Sequence, residues 1–470
     1  MSRYAVRRAA AILAVMTLAA CTSGGSAAGG AATPGAAAPA ATHRAAATSH
    51  TVAAATANPA AVWPTYHGNN QRSGISSAAP LKAPLHRAWA KTLDGAVYAQ
   101  PIVVGQRLIV ATEHNTVYAL RRDNGRVIWR RHLGTPVPQS QLPCGNIDPS
   151  GITGSPVYDQ ATGSIFVVTE TTGSHHTLRA LNSQNGKQRW TRSLDVLSSR
   201  DRTTEQQRGA LLVTHGRVYV AFGGRWGDCG NYVGYVVGVP VGGKGSTLHY
   251  AVPTAREAGI WAAAGPIAAN GAIYVASGNG AETGGRYDGS DSVIRLSYGL
   301  RRTSFFAPSS WASDNAQDLD LGSSSPVAVG STGEIVIAGK RGDVYLLDGL
   351  HGIGSQVATH SGCAAYGGGA NKGGAVLLPC TDGVRRVDVN GHTMQWRWQL
   401  PGVAGSPVIA GKRVYALNTD NGELVEADFG NGNVVARISI GSVTRFATPV
   451  PVGDKVYVGT YSGVVAVGGS

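Results

Sequence analysis

The chain has 470 residues, of which 65 are glycine and only 14% are charged. That composition disfavours long helices and suits short strands joined by tight turns. Residues 1–60 hold four basic residues (Arg3, Arg7, Arg8, Arg44) and no acid, so the formal +13 falls to 36 basic against 27 acidic residues, +9, for the body. No basic run interleaved with aromatics marks a nucleic-acid binder, and no nucleic-acid partner is expected. The excess charge suits either anionic envelope polymers and headgroups or a plain solvated surface.

In chain order, a cationic head (Arg3, Arg7, Arg8) precedes an apolar run from Ala9 to Ala20. That run is shorter than the roughly 20 residues needed to span a bilayer, and it has the shape of a signal peptide. Leu18-Ala19-Ala20-Cys21 resembles the lipobox of bacterial lipoproteins, which implies lipidation at Cys21 after removal of residues 1–20. The alternative is an ordinary cut after Ala20 that leaves a free thiol. Residues 21–60 are mostly Ala, Gly, Ser, Thr and Pro, and read as a disordered tether to a body over 61–470. The expected location is the outer face of a bacterial cell membrane, with the protein lipid-anchored and monomeric.

The body carries a repeat. Small residues followed by an apolar pair recur at Gln100-Pro101-Ile102, Ser155-Pro156-Val157, Ala210-Leu211-Leu212, Gly265-Pro266-Ile267, Ser325-Pro326-Val327, Gly374-Ala375-Val376, Ser406-Pro407-Val408 and Thr448-Pro449-Val450. A β-rich run such as RLIVAT, AIYVAS or KVYVGT follows each start, and this period indicates a repeat architecture. Between them, Ala119-Leu120, Gly125 and Trp129 match Ala180-Leu181, Gly186 and Trp190 in register. The glycine supplies a turn between two strands, and the indole is placed to wedge between neighbouring sheets. The fold expected is an all-β, eight-bladed β-propeller of four-stranded blades. Seven blades stay open, because the sixth and seventh starts lie close together. The last start leaves too few residues for a full blade, so His86–Lys91 is expected to supply its outer strand.

With Cys21 set aside, four cysteines remain in an exported chain, which suggests two disulfides from three possible pairings. Cys363 and Cys380 read as flanking one hairpin, leaving Cys144 to pair with Cys229.

The Ala-Leu-x4-Gly-x3-Trp pattern resembles the tryptophan-docking repeat of pyrroloquinoline-quinone (PQQ) propellers, and WPTYHGNNQRSG at 63–74 resembles their opening segment. The resemblance covers about 63–470. It implies two kinds of function: propellers of the outer-membrane assembly-factor type, which bind proteins without a cofactor, and PQQ- and calcium-dependent alcohol or sugar dehydrogenases. For the second it places Trp261 beneath the quinone, Asn279 at the calcium, Asp320 as catalytic base and further calcium ligand, and Lys340 beside the quinone oxygens. The same residues have structural readings: blade packing for Trp261, a left-handed turn for Asn279, loop-amide hydrogen bonds for Asp320 and a solvated charge for Lys340. GDCGNYVGYVVG (227–238) lacks the calcium-binding glutamate, and no adjacent cysteine pair is present. His114, His175, His176 and His215 share no metal spacing and are expected on surfaces or loops. GSSSP at 322–326 lacks a hydrolase elbow, and no phosphate loop appears. The leading expectation is therefore a cofactor-free scaffold that binds an envelope protein or polymer on a propeller face; the dehydrogenase is the alternative.

Overall fold

The computed structural model describes residues 60–330 and 332–470. The signal peptide, Cys21 and the tether as far as residue 59 lie outside the described residues. In the body, each repeat becomes an antiparallel sheet that runs outward from a short innermost strand. Ile102–Val104 pairs with Arg107–Ala111, then Thr116–Arg121, then Val127–His132. Leu108, Ile109 and Val110 are all buried, so neighbouring blades cover both faces of the sheet. Eight such blades form the propeller, their innermost strands starting at Ile102, Val157, Leu212, Ile267, Val327, Ala370, Val408 and Val450.

The sixth start differs from the sequence reading. Ala375–Cys380 is that blade's second strand, and the innermost is Ala370–Lys372. Its centre is the polar Asn371, which is buried because its side-chain oxygen accepts the Gly330 amide of the preceding blade. With that start moved back, the sixth and seventh innermost strands begin 38 residues apart (370 to 408), close to the 42 between the seventh and eighth (408 to 450), and the eight sheets leave no room for a seven-bladed count. Both expected disulfides form, Cys144–Cys229 and Cys363–Cys380. The second does not close one hairpin. Cys363 follows the fifth blade's outer strand and Cys380 ends a strand of the sixth, so the bond links two blades.

The repeated tryptophan does what its spacing suggests, and the repeated glycine has a second role. Trp129 of blade one packs on Gly186 of blade two, and its indole donates to the Ser183 carbonyl at 3.3 Å. A Cβ on Gly186 would lie 2.5 Å from that ring. Trp89 on Gly125, Trp190 on Gly243 and Trp398 on Gly432 repeat the contact. Gly186→Ala is expected to cost about 3 kcal/mol, from a side chain at φ 69° and from overlap with the indole. Gly216 has φ 70° but nothing within 4 Å of an added Cβ, so Gly216→Ala should lose only the backbone part. Urea unfolding of the two variants measures the difference; equal losses would remove the wedge from the account.

Two N-terminal segments close the ring. Leu85–Thr92 forms the outer strand of the last blade, antiparallel to Gly463–Gly469, as expected. Trp89 on that strand then docks on Gly125 of the first blade. Residues 61–76 run across the axis as a plug. Trp63 pairs with Val103 of blade one, Pro64 accepts the Tyr158 amide of blade two, and Ile75–Ser76 lies parallel to Ile409–Ala410 of blade seven. The buried Arg72 donates to the carbonyls of Leu211, Ala264 and Pro266 at 2.9, 3.2 and 3.3 Å. His67 places Nδ1 3.0 Å from the Gly369 carbonyl and Nε2 3.2 Å from the Thr448 hydroxyl.

Candidate axial binding site

Three connections between blades touch the plug at one end and line a cavity at the other. Ala264, Gly369 and Thr448 meet the plug, while Trp261, Tyr366 and Phe446, a few residues earlier in the same connections, line a cavity of about 550 Å³. Plug and cavity are therefore stacked along the propeller axis. Trp261, Asn279, Asp320 and Lys340, read from three separate stretches, all face this one cavity.

Local structure explains the convergence. The helix Trp311–Gln317 ends at Asp318 in the left-handed region, φ 54°, whose amide donates to Asp314. That reversal brings both Asp318 and Asp320 to Lys340, whose Nζ lies 2.6 Å from Asp318 Oδ1 and 2.5 Å from Asp320 Oδ2. The other oxygen of Asp320 accepts the Asn279 backbone amide at 2.6 Å. Gly278 permits this approach, because a Cβ there would fall 2.1 Å from Asp320 Oδ1. Burial pushes the Asp320 carboxyl up to about 6 against the pull of the Lys340 ammonium. For Lys340, burial works against the charge, but the Asp320 and Asp318 carboxylates outweigh it and hold the ammonium above its ordinary range.

The rest of the wall was not legible as a motif. Arg208 lies over the Phe446 ring at 5.3 Å and Arg445 over Tyr366 at 4.1 Å, both cation–π distances. Neither arginine has an ion-pair partner within 4 Å among the described residues. Arg225, also on the wall, is buried and paired with Glu170. Trp226 stands 67% exposed at the rim. The Cys144–Cys229 bond, read from sequence as structural, ties the loop carrying Asn146 to the loop carrying Trp226 and Asp228, so it also holds this wall together. His176, expected on a surface or loop, lies in the strand His175–Asn182 and is buried between Glu170 and Asp195.

A calcium ion does not fit the residues as they stand. It requires about six to eight oxygen ligands. Both oxygens of Asp320 are taken, Asp228 accepts the Tyr232 hydroxyl, and the nearby Glu257 pairs with Arg256 at 2.5 Å. No group of three or more His, Cys, Asp or Glu able to hold a metal occurs among the described residues. The aromatic walls and volume do fit a flat organic group.

Fold and repeat define the class: this is an eight-bladed β-propeller, similar in fold to the PQQ propellers. The family described as outer membrane protein assembly factor BamB matches residues 86–225. Quinohemoprotein alcohol dehydrogenase from Comamonas testosteroni is similar at 16% identity and TM-score 0.69, over 87% of this chain and 81% of that one. A europium-containing methanol dehydrogenase gives 16% and 0.67, over 86% and 90%. BamB from Moraxella catarrhalis gives 16% and 0.55, over 83% and 98%. No curated protein sequence matches the chain. At these identities the likeness establishes the fold and leaves function to the site.

Proposed function

We propose that the chain is an extracytoplasmic binding propeller, lipid-anchored through Cys21 at the outer face of a bacterial membrane, and that its axial cavity receives an anionic group of an envelope protein or polymer. One observation carries this reading: Arg208 and Arg445 lie over aromatic rings in the cavity with no carboxylate within 4 Å among the described residues, while Asp318, Asp320 and Asp228 are engaged with Lys340 and Tyr232. Two disulfides support an oxidising compartment. The excess of basic residues supports an acidic partner.

The test is a titration of the protein, by its tryptophan fluorescence, with an acidic envelope polymer such as polyglycerol phosphate and with a neutral glucan. Binding of the acidic polymer should weaken about tenfold in each of Arg208→Gln and Arg445→Gln, the loss of one charge-assisted contact, and should fall with salt. Affinity indifferent to both substitutions would refute the reading.

The meeting of Trp261, Asn279, Asp320 and Lys340 in one cavity favours a second reading, a PQQ-dependent dehydrogenase. Retention of quinone absorbance with PQQ and calcium, together with dye-linked alcohol oxidation lost in Asp320→Asn, would establish it in place of the first.

A further inference from the structure

The carboxylates at the axial site are arranged around an ammonium. Lys340 Nζ sits 2.5 Å from Asp320 and 2.6 Å from Asp318, and its side chain is only 15% exposed. Asp320 is almost wholly buried, so its negative charge needs a permanent counterion at close range. A divalent ion in the same place would meet the like charge of Lys340 at contact distance, in surroundings that screen poorly. It would also have to take Asp320 oxygens away from Lys340 and from the Asn279 amide.

We infer that Lys340 is the resident cation of the axial site, filling the position a calcium ion would need, so that this propeller holds its axial ligand without a metal. The consequence for ligand chemistry follows from the donor type. A lysine ammonium has three hydrogens, and two are directed at Asp318 and Asp320. The third is available to an oxygen acceptor of the ligand, whereas a calcium ion would demand several oxygens at once. The axial site therefore suits a ligand that offers single oxygens to separate cations, Lys340, Arg208 and Arg445, rather than a chelating set. This ligand class rests on the cavity being the binding site, as proposed above. The metal-free character does not, because it is measured without ligand.

The experiment is equilibrium dialysis of the full chain against calcium, paired with terbium luminescence excited through tryptophan. The natural protein should bind no stoichiometric calcium up to on the order of 1 mM, the weak end of protein calcium sites. Lys340→Met, which removes the ammonium and leaves Asp318, Asp320 and Asn279 facing the vacated position, should bind one ion at least tenfold more tightly. Lys340→Met combined with Asp320→Asn should lose that site. Lys340→Gln replaces Lys340→Met if circular dichroism shows the latter unfolded. Binding of one calcium by the natural protein that Asp320→Asn abolishes would overturn the inference. A folded Lys340 variant that gains no site would overturn it too, since the ammonium would then not be what excludes the ion. Either failure leaves the acidic-polymer titration unaffected.

Discussion

Replacing Arg72 with methionine should lower the unfolding free energy by about 4 kcal/mol, the range for breaking a buried polar network. The side chain is buried and has no carboxylate beside it among the described residues; burial pulls its pKa down to about 9, so it is still charged near neutrality. Its charge is met by backbone carbonyls, those of Leu211, Ala264 and Pro266 in blades three and four and of Tyr66 in the plug itself. Methionine fills much of the volume but leaves those carbonyls without this donor in a site that water does not reach. Lysine, a point charge without the planar fork, should recover less than half of the loss. Urea unfolding of the three proteins reads this directly. A loss below about 1 kcal/mol, the net worth of one ordinary hydrogen bond, would mean that the plug does not hold the ring.

The second large effect is an acid slope set by His67. Its Nδ1 donates to the Gly369 carbonyl, and burial lowers its pKa from 6.5 to about 3. The sign follows from linkage. Above 6.5 both folded and unfolded states hold the ring neutral, and the group contributes nothing. As pH falls from 6.5 toward 3, the unfolded chain takes up a proton that the folded chain refuses, and stability is lost at about 1.4 kcal/mol per pH unit. The loss approaches 5 kcal/mol by the lower limit. His67→Asn keeps an amide donor toward Gly369 and has no proton to gain. The difference between the two proteins' stability curves should therefore shrink steadily between those pH values. Parallel curves would show that the ring is protonated or exposed in the fold.

The ring was legible because its determinants are local and repeated. Alternating strands, Gly125 with Trp129 and Gly186 with Trp190 declare a unit that needs neighbours, and the short last unit calls for a strand from elsewhere. The sixth innermost strand was missed because Asn371 makes its hydrogen bond across blades, which no local pattern records. The pairing of Cys363 with Cys380 was right on the wrong geometry, since proximity across two blades looks in sequence like proximity across one turn. At the axis, four site residues could be read only through resemblance to PQQ propellers. Arg208, Tyr366, Arg445 and Phe446 carry no motif. A positional signal was present all the same: Tyr98, Arg208, Trp261 and Phe446 each lie two to four residues before a repeat start, where the chain passes the axis. Reading the residues just ahead of each start would have found Arg208, Arg445 and the aromatic faces of Trp261 and Phe446.

Hydrogen exchange of the full chain, free and saturated with the acidic envelope polymer, tests the central claim that the axial cavity is the binding site. The account requires new protection of amides in the axial connections around Arg208, Trp261, Tyr366 and Phe446, with little change in the outer strands Val127–His132 and Val434–Ser439. Protection along those outer strands, with the axial connections exchanging as before, would contradict it.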